Sequence, residues 1–305
     1  MTYDLLTLGE PLFEFAHISG DDWRSGHGGD VSNVAIAAAR QGAKAGIVTR
    51  LGDDGFGQSF RDLWSTEGVD HSHTETDRNA PTGLYFIRQT DQGHVFDYRR
   101  AGSAAAQFAP ETLPKEPLQK TKILHFSGIT QAISDRSNEA ALLAAQIAKE
   151  AGARISYDPN LRLKLWPLDK AQTQIERALK ITDIALPGLD DAQQLTGLLD
   201  PEAIIALYHD LGPEIVALTM GAEGTLVSDN KTITHLLPLK VEAVDATGAG
   251  DCFDGTFLAR LAAGDTPRDA AAYATTAAAI SVTGHGAVSP IPVTEDVLAR
   301  MPQTT

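Results

Sequence analysis

The sequence predicts an α/β protein built on a doubly wound, mostly parallel sheet. Short apolar runs typical of buried strands alternate with Ala-rich, amphipathic runs of helical period along most of the 305 residues. Such alternation is typical of parallel strands joined by crossover helices. One stretch near residues 82–100 breaks the rhythm, because it alternates and turns at Asp91 to Gly93. It predicts an antiparallel hairpin, either a β flap over a ligand site or an edge hairpin of the main sheet.

The remaining segments follow this alternation from one end of the chain to the other. Glycines end several predicted helices, for example Gly42 and Gly68, because glycine adopts the left-handed conformation that stops a helix. In chain order the predicted elements are strand 3–10, helix 31–43, strand 44–52, helix 55–69, hairpin 82–102, strand 122–128, helix 136–152, strand 153–160, helix 168–182, strand 183–188, helix 201–212, strand 214–221, hairpin 224–238 and helices 252–264 and 266–284.

Composition and charge narrow the classes of partner. Apolar residues make up 43% of the chain and charged residues 21%, as in ordinary globular proteins. The net charge of −15 argues against nucleic acid or an anionic membrane as partner, so an anionic substrate needs a local basic site. The single cysteine, Cys252, excludes an internal disulfide framework and fits a reducing compartment. With neither a basic leader nor an apolar run approaching ~20 residues, we expect a cytoplasmic protein.

The stretch "DATGAGDCFDG", residues 245–255, carries the strongest chemical signal. Gly248, Ala249 and Gly250 directly precede Asp251, and a helix of apolar period follows. Backbone N–H groups at a helix N-terminus lack partners and attract anions, and an acid beside them can take a proton from a hydroxyl. The pattern predicts phosphoryl transfer, with the amides of residues 249–251 facing the transferred group. A plain Gly-rich turn with Asp251 as a helix cap is the alternative.

Other nucleotide motifs fit less well. The chain contains no G-x-x-x-x-G-K-[ST], which excludes a P-loop. The dinucleotide pattern G-x-G-x-x-G also fails, because after Gly248 and Gly250 the next glycine, Gly255, comes two positions late. An NAD-dependent oxidoreductase is therefore disfavoured. The stretch "TMGAEG", residues 219–224, follows a predicted strand and predicts either a contact to nucleotide phosphate or a simple turn.

Four stretches, in order along nearly the whole chain, resemble the signatures of the ribokinase-type (PfkB) carbohydrate kinases. They are "GGDVSNVAIAAARQGAKAGIVTRLGDDGFG", "TMGAEG", "DATGAGDCFDGTFLA" and "VTGHGAVSPIP", which resemble the N-terminal signature, the nucleotide motif, the C-terminal signature and the adenine-side loop. The resemblance implies ATP-dependent phosphorylation of a sugar hydroxyl with Mg²⁺. It also implies one ribokinase-like α/β domain, residues 1–305, with an inserted β lid formed by about 10–29 and 72–104.

The resemblance also implies roles for single residues, and it leaves the need for K⁺ open. The family often has Asn-x-x-Glu near its Mg²⁺, whereas this chain has Gly188 and Asp191, and the shorter acid would reach the metal through water. The implied residues are Asp251 as catalytic base; Gly248, Ala249 and Gly250 as anion hole; Gly29 and Asn33 at sugar hydroxyls; Thr219, Gly221, Gly224 and Gly286 along the nucleotide; Asp191 near Mg²⁺; and Asp245 and Thr247 at a monovalent cation.

The predicted hairpin offers side chains that can recognise a sugar. Residues two apart in a strand share a face, so Tyr98 and Arg100 point the same way, and Tyr85 on the partner strand can join them. An arginine aimed at a sugar pocket suggests a carboxylate, because its planar fork matches that group. Arg162 follows a predicted strand end and can reach the same pocket or the nucleotide phosphates. For either arginine, a surface ion pair is the alternative.

Within the family, "GEPL", "TGLYF", "YRRAGSA", "HFSGIT" and "DPNLRLKLW" resemble the 2-keto-3-deoxygluconate kinases. This implies transfer to the 6-hydroxyl of a keto sugar acid, with Tyr85, Tyr98, Arg100 and Arg162 at the substrate-contact positions. A kinase for a neutral sugar such as fructose, tagatose or ribose, and a non-catalytic sugar or nucleotide sensor, are the alternatives, and Asp251 argues against the sensor. Lid strands in this family can pair between subunits, so a homodimer through the lid is a further expectation.

Overall fold

A computed structural model describes residues 2–90, 93–229 and 232–301, and its strands form one large sheet, one small sheet and one isolated pair. The strands are β1 Tyr3–Leu8, β2 Leu12–Ser19, β3 Asp22–Gly28, β4 Ala45–Val48, β5 Arg50–Gly52, β6 Glu75–Asp77, β7 Leu84–Thr90, β8 Gly93–Arg99, β9 Thr121–Ser127, β10 Arg154–Asp158, β11 Ile184–Ala185, β12 Ile215–Thr219, β13 Thr225–Asp229 and β14 Thr232–Leu236.

Helices connect most of these strands, and short 3₁₀ turns lie at Ala105–Gln107, Pro110–Thr112 and Gly221–Glu223. None of the helices in the described part of the chain combines the length and the apolar character that crossing a bilayer requires. The helices are α1 Asp30–Arg40, α2 Gly55–Glu67, α3 Lys115–Leu118, α4 Gly128–Ala132, α5 Asp135–Glu150, α6 Leu168–Leu179, α7 Leu189–Thr196, α8 Pro201–Leu211, α9 Ala249–Ala263, α10 Pro267–Ser281 and α11 Thr294–Arg300.

The large sheet has eight strands in the order β14-β13-β12-β11-β10-β9-β1-β4. Every pair from β12 to β4 is parallel, and β13 and β14 add an antiparallel edge, as the second predicted hairpin required. Helices cover both faces: Leu6 of β1 packs in the cluster that contains α5 and α8, whereas Leu5 packs in the cluster that contains α9 and α10. The predicted doubly wound, mostly parallel α/β sheet is confirmed.

The small sheet has four strands in the order β3-β2-β7-β8. It consists of two antiparallel hairpins joined by the parallel pair β2–β7, in which Glu14 lies opposite Tyr85. The predicted hairpin is confirmed and belongs to this sheet rather than to the edge of the large one. Two residues of its predicted turn, Asp91 and Gln92, lie outside the described residues.

The carboxyl ends of the parallel strands meet at one edge of the large sheet, where open α/β sheets bind ligands. Glu10 follows β1, Ser127 ends β9 and caps α4, and Asp158 ends β10. The N-terminus of α9 reaches the same edge, and the small sheet rises beside it. The fold therefore gathers chain segments that are far apart in sequence around one cleft.

Candidate active site

A cleft of about 690 Å³ lies between the carboxyl edge of the large sheet, the start of α9 and the small sheet. The small sheet contributes Tyr85 and Tyr98, the loop after β10 contributes Arg162, and α9 contributes Asp251. The predicted catalytic, anion-hole and substrate residues all line this cleft. Side chains predicted from separate motifs therefore come together in one place.

Asp251 lies in the first turn of α9 with its carboxylate held toward the cleft. The Asn33 side-chain amide donates a hydrogen bond of 2.7 Å to its Oδ2. Burial raises the pKa of Asp251 to about 6, and the negative charge of Asp30 adds to the rise, whereas Asn33 and Arg162 oppose it. At neutral pH the group is therefore mostly ionised, and its pKa is close enough to accept a proton in a reaction.

The backbone before Asp251 presents free amide groups. Gly248 has φ 77°, and a Cβ at this position would lie 2.9 Å from the Ala287 side chain, so both conformation and space favour glycine. The Ala249 N–H donates to the Ala246 carbonyl at 3.2 Å, whereas the N–H groups of Gly250 and Asp251 meet no acceptor among residues 2–90, 93–229 and 232–301. Two amides, rather than the three suggested by the sequence, are therefore free to face an anion.

The part of the cleft next to the small sheet and the start of α1 combines polar and aromatic groups. Gly29 and Asn33 lie at the junction of β3 and α1, and the buried Asn33 Oδ1 has no hydrogen-bond partner in the described part of the chain. Tyr85 and Tyr98 are cross-strand neighbours whose ring centroids lie 6.0 Å apart. The Tyr85 hydroxyl donates to the buried carboxylate of Glu14, an interaction that the sequence did not indicate. The two rings therefore form a wall, and Asn33 keeps a free acceptor.

Arg100 is not a surface residue. Its guanidinium Nη2 forms an ion pair with Glu10, whose other oxygen accepts a 3.2 Å hydrogen bond from Ser103 Oγ. Arg100 is 9% exposed and Glu10 1%, and the guanidinium lies 5.2 Å from the centre of the Tyr98 ring. The buried Arg100 Nε has no partner among the residues described. Burial raises the pKa of the Glu10 carboxyl, and the positive charge of Arg100 opposes this rise. Arg100 is therefore already paired with a carboxylate of the protein before a ligand binds.

Arg162 has a looser environment. Its side chain is 45% exposed, and its Nη1 lies 3.6 Å from Asp191 Oδ2 and 2.7 Å from the Leu161 carbonyl. The same Asp191 oxygen accepts a 2.9 Å hydrogen bond from the Leu161 N–H. Burial raises the pKa of Asp191, and the charge of Arg162 lowers it. Arg162 therefore has the freedom to turn toward a ligand in the cleft, which Arg100 lacks.

The residues predicted along the nucleotide divide into two groups. Thr219 ends β12 and lines the cleft, whereas Gly221 and Gly224 lie in the turn that follows and do not line it. Gly224 has φ 91°, and a Cβ there would lie 2.1 Å from the Leu236 carbonyl oxygen, so this glycine is needed for close approach of β14. Packing against β14 therefore explains why glycine occupies position 224 in this turn.

Asp245, Thr247 and Gly286 form one hydrogen-bonded group. The Asp245 Oδ1 accepts from the Thr247 N–H at 3.0 Å and from its hydroxyl at 2.6 Å, and Oδ2 accepts from the Gly286 N–H at 2.9 Å. These bonds lower the pKa of Asp245 against the effect of burial. These hydrogen bonds therefore hold the loop before α9 against the loop after α10.

Acidic side chains that no sequence motif marks as functional also line the cleft. Asp30 accepts hydrogen bonds from Ser127 and Asn160, whereas Asp254, one helical turn after Asp251, accepts none from the described residues. A helical spacing of three from Asp251 was the available signal for Asp254. The charged lining consists of Glu10, Asp30, Asp158, Asp191, Asp251 and Asp254 with Arg100, Arg162 and Lys164.

A carboxylate and two free helix-terminal amides lie together at the carboxyl edge of a doubly wound sheet, an arrangement that suits a kinase-type phosphotransferase. Residues 4–294 match the family model described as pfkB family carbohydrate kinase. The chain therefore belongs to the pfkB family of carbohydrate kinases, and it is an ATP-dependent sugar kinase of that family.

Relatives with assigned names span nearly the full chain. It is 34% identical over 294 residues to the 2-dehydro-3-deoxygluconokinase of Thermoproteus tenax, covering 92% of this chain and 89% of that protein. It is 32% identical to the protein of the same name from Escherichia coli, with 95% and 98% covered. A fructokinase from Solanum tuberosum is 30% identical, with 97% and 95% covered. Sugar-acid and neutral-sugar kinases are thus both among its relatives.

Solved structures show the same fold. A PfkB protein from Polaromonas sp. JS666 superimposes with a TM-score of 0.88 at 28% identity, covering 98% of this chain and 99% of that one. A putative ribokinase II from E. coli in complex with ATP and Mg²⁺ gives 0.90 at 25% identity, with 98% of each covered. A fructokinase from Vibrio cholerae O395 with fructose, ADP and calcium ion gives 0.89 at 26% identity, with 98% of each covered.

Proposed function

We propose that the protein transfers the γ-phosphoryl group of ATP to the 6-hydroxyl of 2-keto-3-deoxygluconate, the sugar acid also called 2-dehydro-3-deoxygluconate. The observation that carries this proposal is Asp251, an ionisable carboxylate held by Asn33 at 2.7 Å beside two free amides in the cleft. The choice of sugar acid is supported by two relatives named for it and by two arginines in the cleft lining.

In the proposed reaction, Asp251 accepts the proton of the attacking hydroxyl as that oxygen forms its bond to the γ-phosphorus and ADP leaves. The Gly250 and Asp251 N–H groups donate to the oxygens of the phosphoryl group in transit. Asn33 keeps the carboxylate turned toward the hydroxyl, and its free Oδ1 accepts from the sugar. These groups supply positioning and electrostatic stabilisation, which are the main requirements of phosphoryl transfer.

The substrate carboxylate is proposed to lie between the unpaired Nε of Arg100 and the 45%-exposed side chain of Arg162. Tyr85 and Tyr98 would pack on the sugar, and Gly29 would let its backbone approach closely. The small sheet, with the segments at about 10–29 and 72–104, acts in this proposal as the lid of a single domain.

The proposal includes ATP with Mg²⁺, and Thr219, Gly221, Gly224 and Gly286 near the nucleotide. Mg²⁺ fits the cleft because Asp191 Oδ1 and both oxygens of Asp254 receive no hydrogen bond from the described residues. When bound, Mg²⁺ would neutralise charge on the phosphates. A K⁺ ion at the loop of Asp245 and Thr247 is part of the proposal, and its test is the K⁺ dependence of activity.

The decisive experiment measures ADP release with a panel of 2-keto-3-deoxygluconate, fructose, tagatose and ribose. We expect the highest kcat/KM for the sugar acid. The neutral-sugar alternative is favoured by one observation, the neutralisation of Arg100 by Glu10, and it would be supported by a higher kcat/KM for fructose or tagatose. Sugar binding without ADP release from any substrate would contradict a kinase.

We also propose a cytoplasmic location and a homodimer formed through the small sheet. The dimer is supported by two exposed apolar side chains on this sheet, Ile18 at 63% and Val95 at 50% exposure. Light scattering after size-exclusion chromatography should give twice the chain mass of 32.4 kDa. An Ile18→Asp, Val95→Asp double variant should give the single-chain mass.

A further inference from the structure

Arg40, the last residue of α1, forms hydrogen bonds with all three nitrogens of its guanidinium group, although it does not line the cleft. Its Nε and Nη2 each donate to one carboxylate oxygen of Glu67 at 2.8 Å. Its Nη1 donates to the main-chain carbonyls of Val288 at 3.1 Å, Ser289 at 3.5 Å and Ile291. A guanidinium suits this position because its planar fork of donors can bind a carboxylate and several carbonyls at once.

The three carbonyl groups belong to residues 282–293, which we call the C-terminal loop. These residues, all of which the structure describes, join α10 to α11 without forming a helix or a strand. Ala287, directly before Val288, is 6% exposed and lines the cleft. Because the loop lacks a regular ladder of hydrogen bonds, its backbone must be fixed by groups outside it, and Arg40 is one of these.

The C-terminal loop contacts the turn that precedes the proposed anion site. A Cβ at Gly248 would lie 2.9 Å from the Ala287 Cβ and 3.0 Å from its Cα and its carbonyl oxygen, so the two backbones touch. The Gly286 N–H donates to Asp245 Oδ2 at 2.9 Å, and the Val282 carbonyl accepts from the Asp245 N–H at 3.1 Å. The place of Gly248, and of the two free amides that follow it, therefore depends on the C-terminal loop.

Helix α1 reaches the proposed reaction centre by two routes. Asn33, near its start, donates to Asp251 at 2.7 Å. Arg40 lies seven residues further on, about two helical turns away, and holds the C-terminal loop. The helix also lies close against α9, because a Cβ at Gly255 would lie 2.2 Å from the Val34 carbonyl oxygen. One helix thus positions the base directly and the amides through the loop.

We infer that Arg40 is a positioning residue for the anion site. By holding the carbonyls of the C-terminal loop, it keeps Ala287 against Gly248. The N–H groups of Gly250 and Asp251 then keep the direction that a phosphoryl group in transit requires. Donors stabilise a transition state only when they are already in place, so a small displacement of this turn lowers the rate. The inference rests on the proposed function for the identity of the anion.

The first test is hydrogen exchange, followed by mass spectrometry, of wild type and Arg40→Met without any ligand. The variant should exchange amide hydrogens at least tenfold faster in two segments, the C-terminal loop and residues 244–252. The second segment reports because the N–H groups of Val244 and Asp245 are bonded to the Val282 carbonyl. Helix α5, which packs in a different core cluster from α1, should exchange as in wild type.

Arg50→Met is the matched control for these measurements. Arg50 is 18% exposed and Arg40 16%. Arg50 forms an ion pair with Asp77 at 2.9 Å and donates to the Gln107 carbonyl at 2.9 Å. Its loss therefore removes the same kinds of bond at a place outside both the cleft lining and the C-terminal loop. We expect wild-type exchange in both segments and a kcat within threefold of wild type.

Kinetics with ATP and the best substrate of the sugar panel give the second readout. Arg40→Met should lower kcat at least tenfold, whereas the KM for the sugar should stay within threefold, because none of the proposed sugar contacts comes from the C-terminal loop. The stoichiometry of ATP binding in calorimetry corrects kcat for any unfolded fraction. If circular dichroism shows Arg40→Met to be unfolded, Arg40→Lys replaces it in both measurements with the same expectations, since one ammonium group lacks the fork that binds Glu67 and the carbonyls together.

Wild-type exchange at residues 244–252 in the variant, or a uniform rise that includes α5, would overturn the inference. Faster exchange in both segments with an unchanged kcat would overturn it as well, because the order of the loop would then not matter for transfer. The exchange measurement is independent of the proposed function. If wild type releases no ADP with any sugar, the proposed function fails and exchange still decides whether Arg40 orders this turn; if exchange is unchanged, the result of the substrate panel stands.

Discussion

The buried ion pair of Arg100 and Glu10 gives the sharpest test of how the cleft is built. The Glu10 side chain is 0% exposed and the Arg100 side chain 10%, so Arg100→Met leaves a carboxylate inside the protein without its counter-ion. Breaking such a pair from one side costs about 3–5 kcal/mol. At roughly 2 °C per kcal/mol for a chain of this size, the Tm should fall by about 6–10 °C in scanning calorimetry.

Two further variants separate the lost pair from general damage. A double variant, Glu10→Gln with Arg100→Met, removes both charges and keeps an acceptor for Ser103, so its Tm should return most of the way to that of wild type. Arg99→Met breaks an exposed pair with Asp97 and should shift the Tm by less than 2 °C. A Tm of Arg100→Met within 2 °C of wild type, or a double variant that melts lower than the single one, would show that this ion pair does not stabilise the fold.

The double variant also tests recognition of the sugar. Arg100→Ala alone would mix a folding defect with a binding defect, because Glu10 is left unpaired. In the double variant, the ratio of kcat/KM for the sugar acid to that for fructose should fall at least tenfold if Arg100 binds the substrate carboxylate. An unchanged ratio would assign Arg100 to structure alone.

Three other predictions concern single groups of the cleft. Asp251→Asn should lower kcat at least 1,000-fold while ATP binding, measured by calorimetry, stays within threefold of wild type; undiminished turnover would remove Asp251 as the base. A Cβ at Gly250 meets nothing within 4 Å, so the Tm of Gly250→Val should stay within 2 °C of wild type. Its kcat in the ADP-release assay should fall at least 100-fold, and a normal kcat would contradict an anion site at this position. Tyr85→Phe leaves the buried Glu14 carboxylate without its donor and should lower the free energy of unfolding in urea by about 1–3 kcal/mol. The double variant Tyr85→Phe with Glu14→Gln should recover part of this loss. An unchanged free energy of unfolding in Tyr85→Phe would show that Glu14 has another partner.

Local features of the sequence were enough to predict most of the large sheet and part of the site. Strands such as β1 are short apolar runs and helices such as α5 have an apolar face of helical period, and tertiary packing agrees with both patterns. The grouping of Gly248, Gly250 and Asp251 is local as well, because a turn and one helical turn contain it. The hydrogen bond from the Ala249 N–H to the Ala246 carbonyl could not be predicted, because the geometry of one amide does not follow from residue type.

Contacts between distant segments could not be predicted in the same way. Glu10 and Arg100 are 90 residues apart, and Glu14 and Tyr85 are 71 apart, so no period or spacing relates them. The parallel pairing of β2 with β7 brings the second pair together, and it depends on how two hairpins meet. Short strands escape for another reason: β6 has three residues, too few to show alternation, and the sequence predicts no strand there.

The two polar neighbours of Asp251 shift its pKa in opposite directions, so removing each of them should move the pH dependence of activity in opposite directions. Asp30 raises the pKa of Asp251 through its negative charge, and the Asn33 amide lowers it by donating to the carboxylate. Because the base must be deprotonated, kcat/KM should fall tenfold per pH unit well below the pKa of about 6. Asp30→Asn should move this acid limb to lower pH, and Asn33→Ala should move it to higher pH.

The two variants are measured in one series of pH profiles of kcat/KM, with wild type as reference. Asparagine at position 30 keeps one oxygen that can accept from the Val31 N–H, and its amide NH2 can donate to the Ser127 hydroxyl, which now accepts, so the variant removes the charge and keeps these two contacts. A general loss of structure would lower both profiles without separating their acid limbs. Shifts in the same direction, or none, would mean that the limb belongs to a group other than Asp251, and the proton acceptor would have to be sought elsewhere in the cleft.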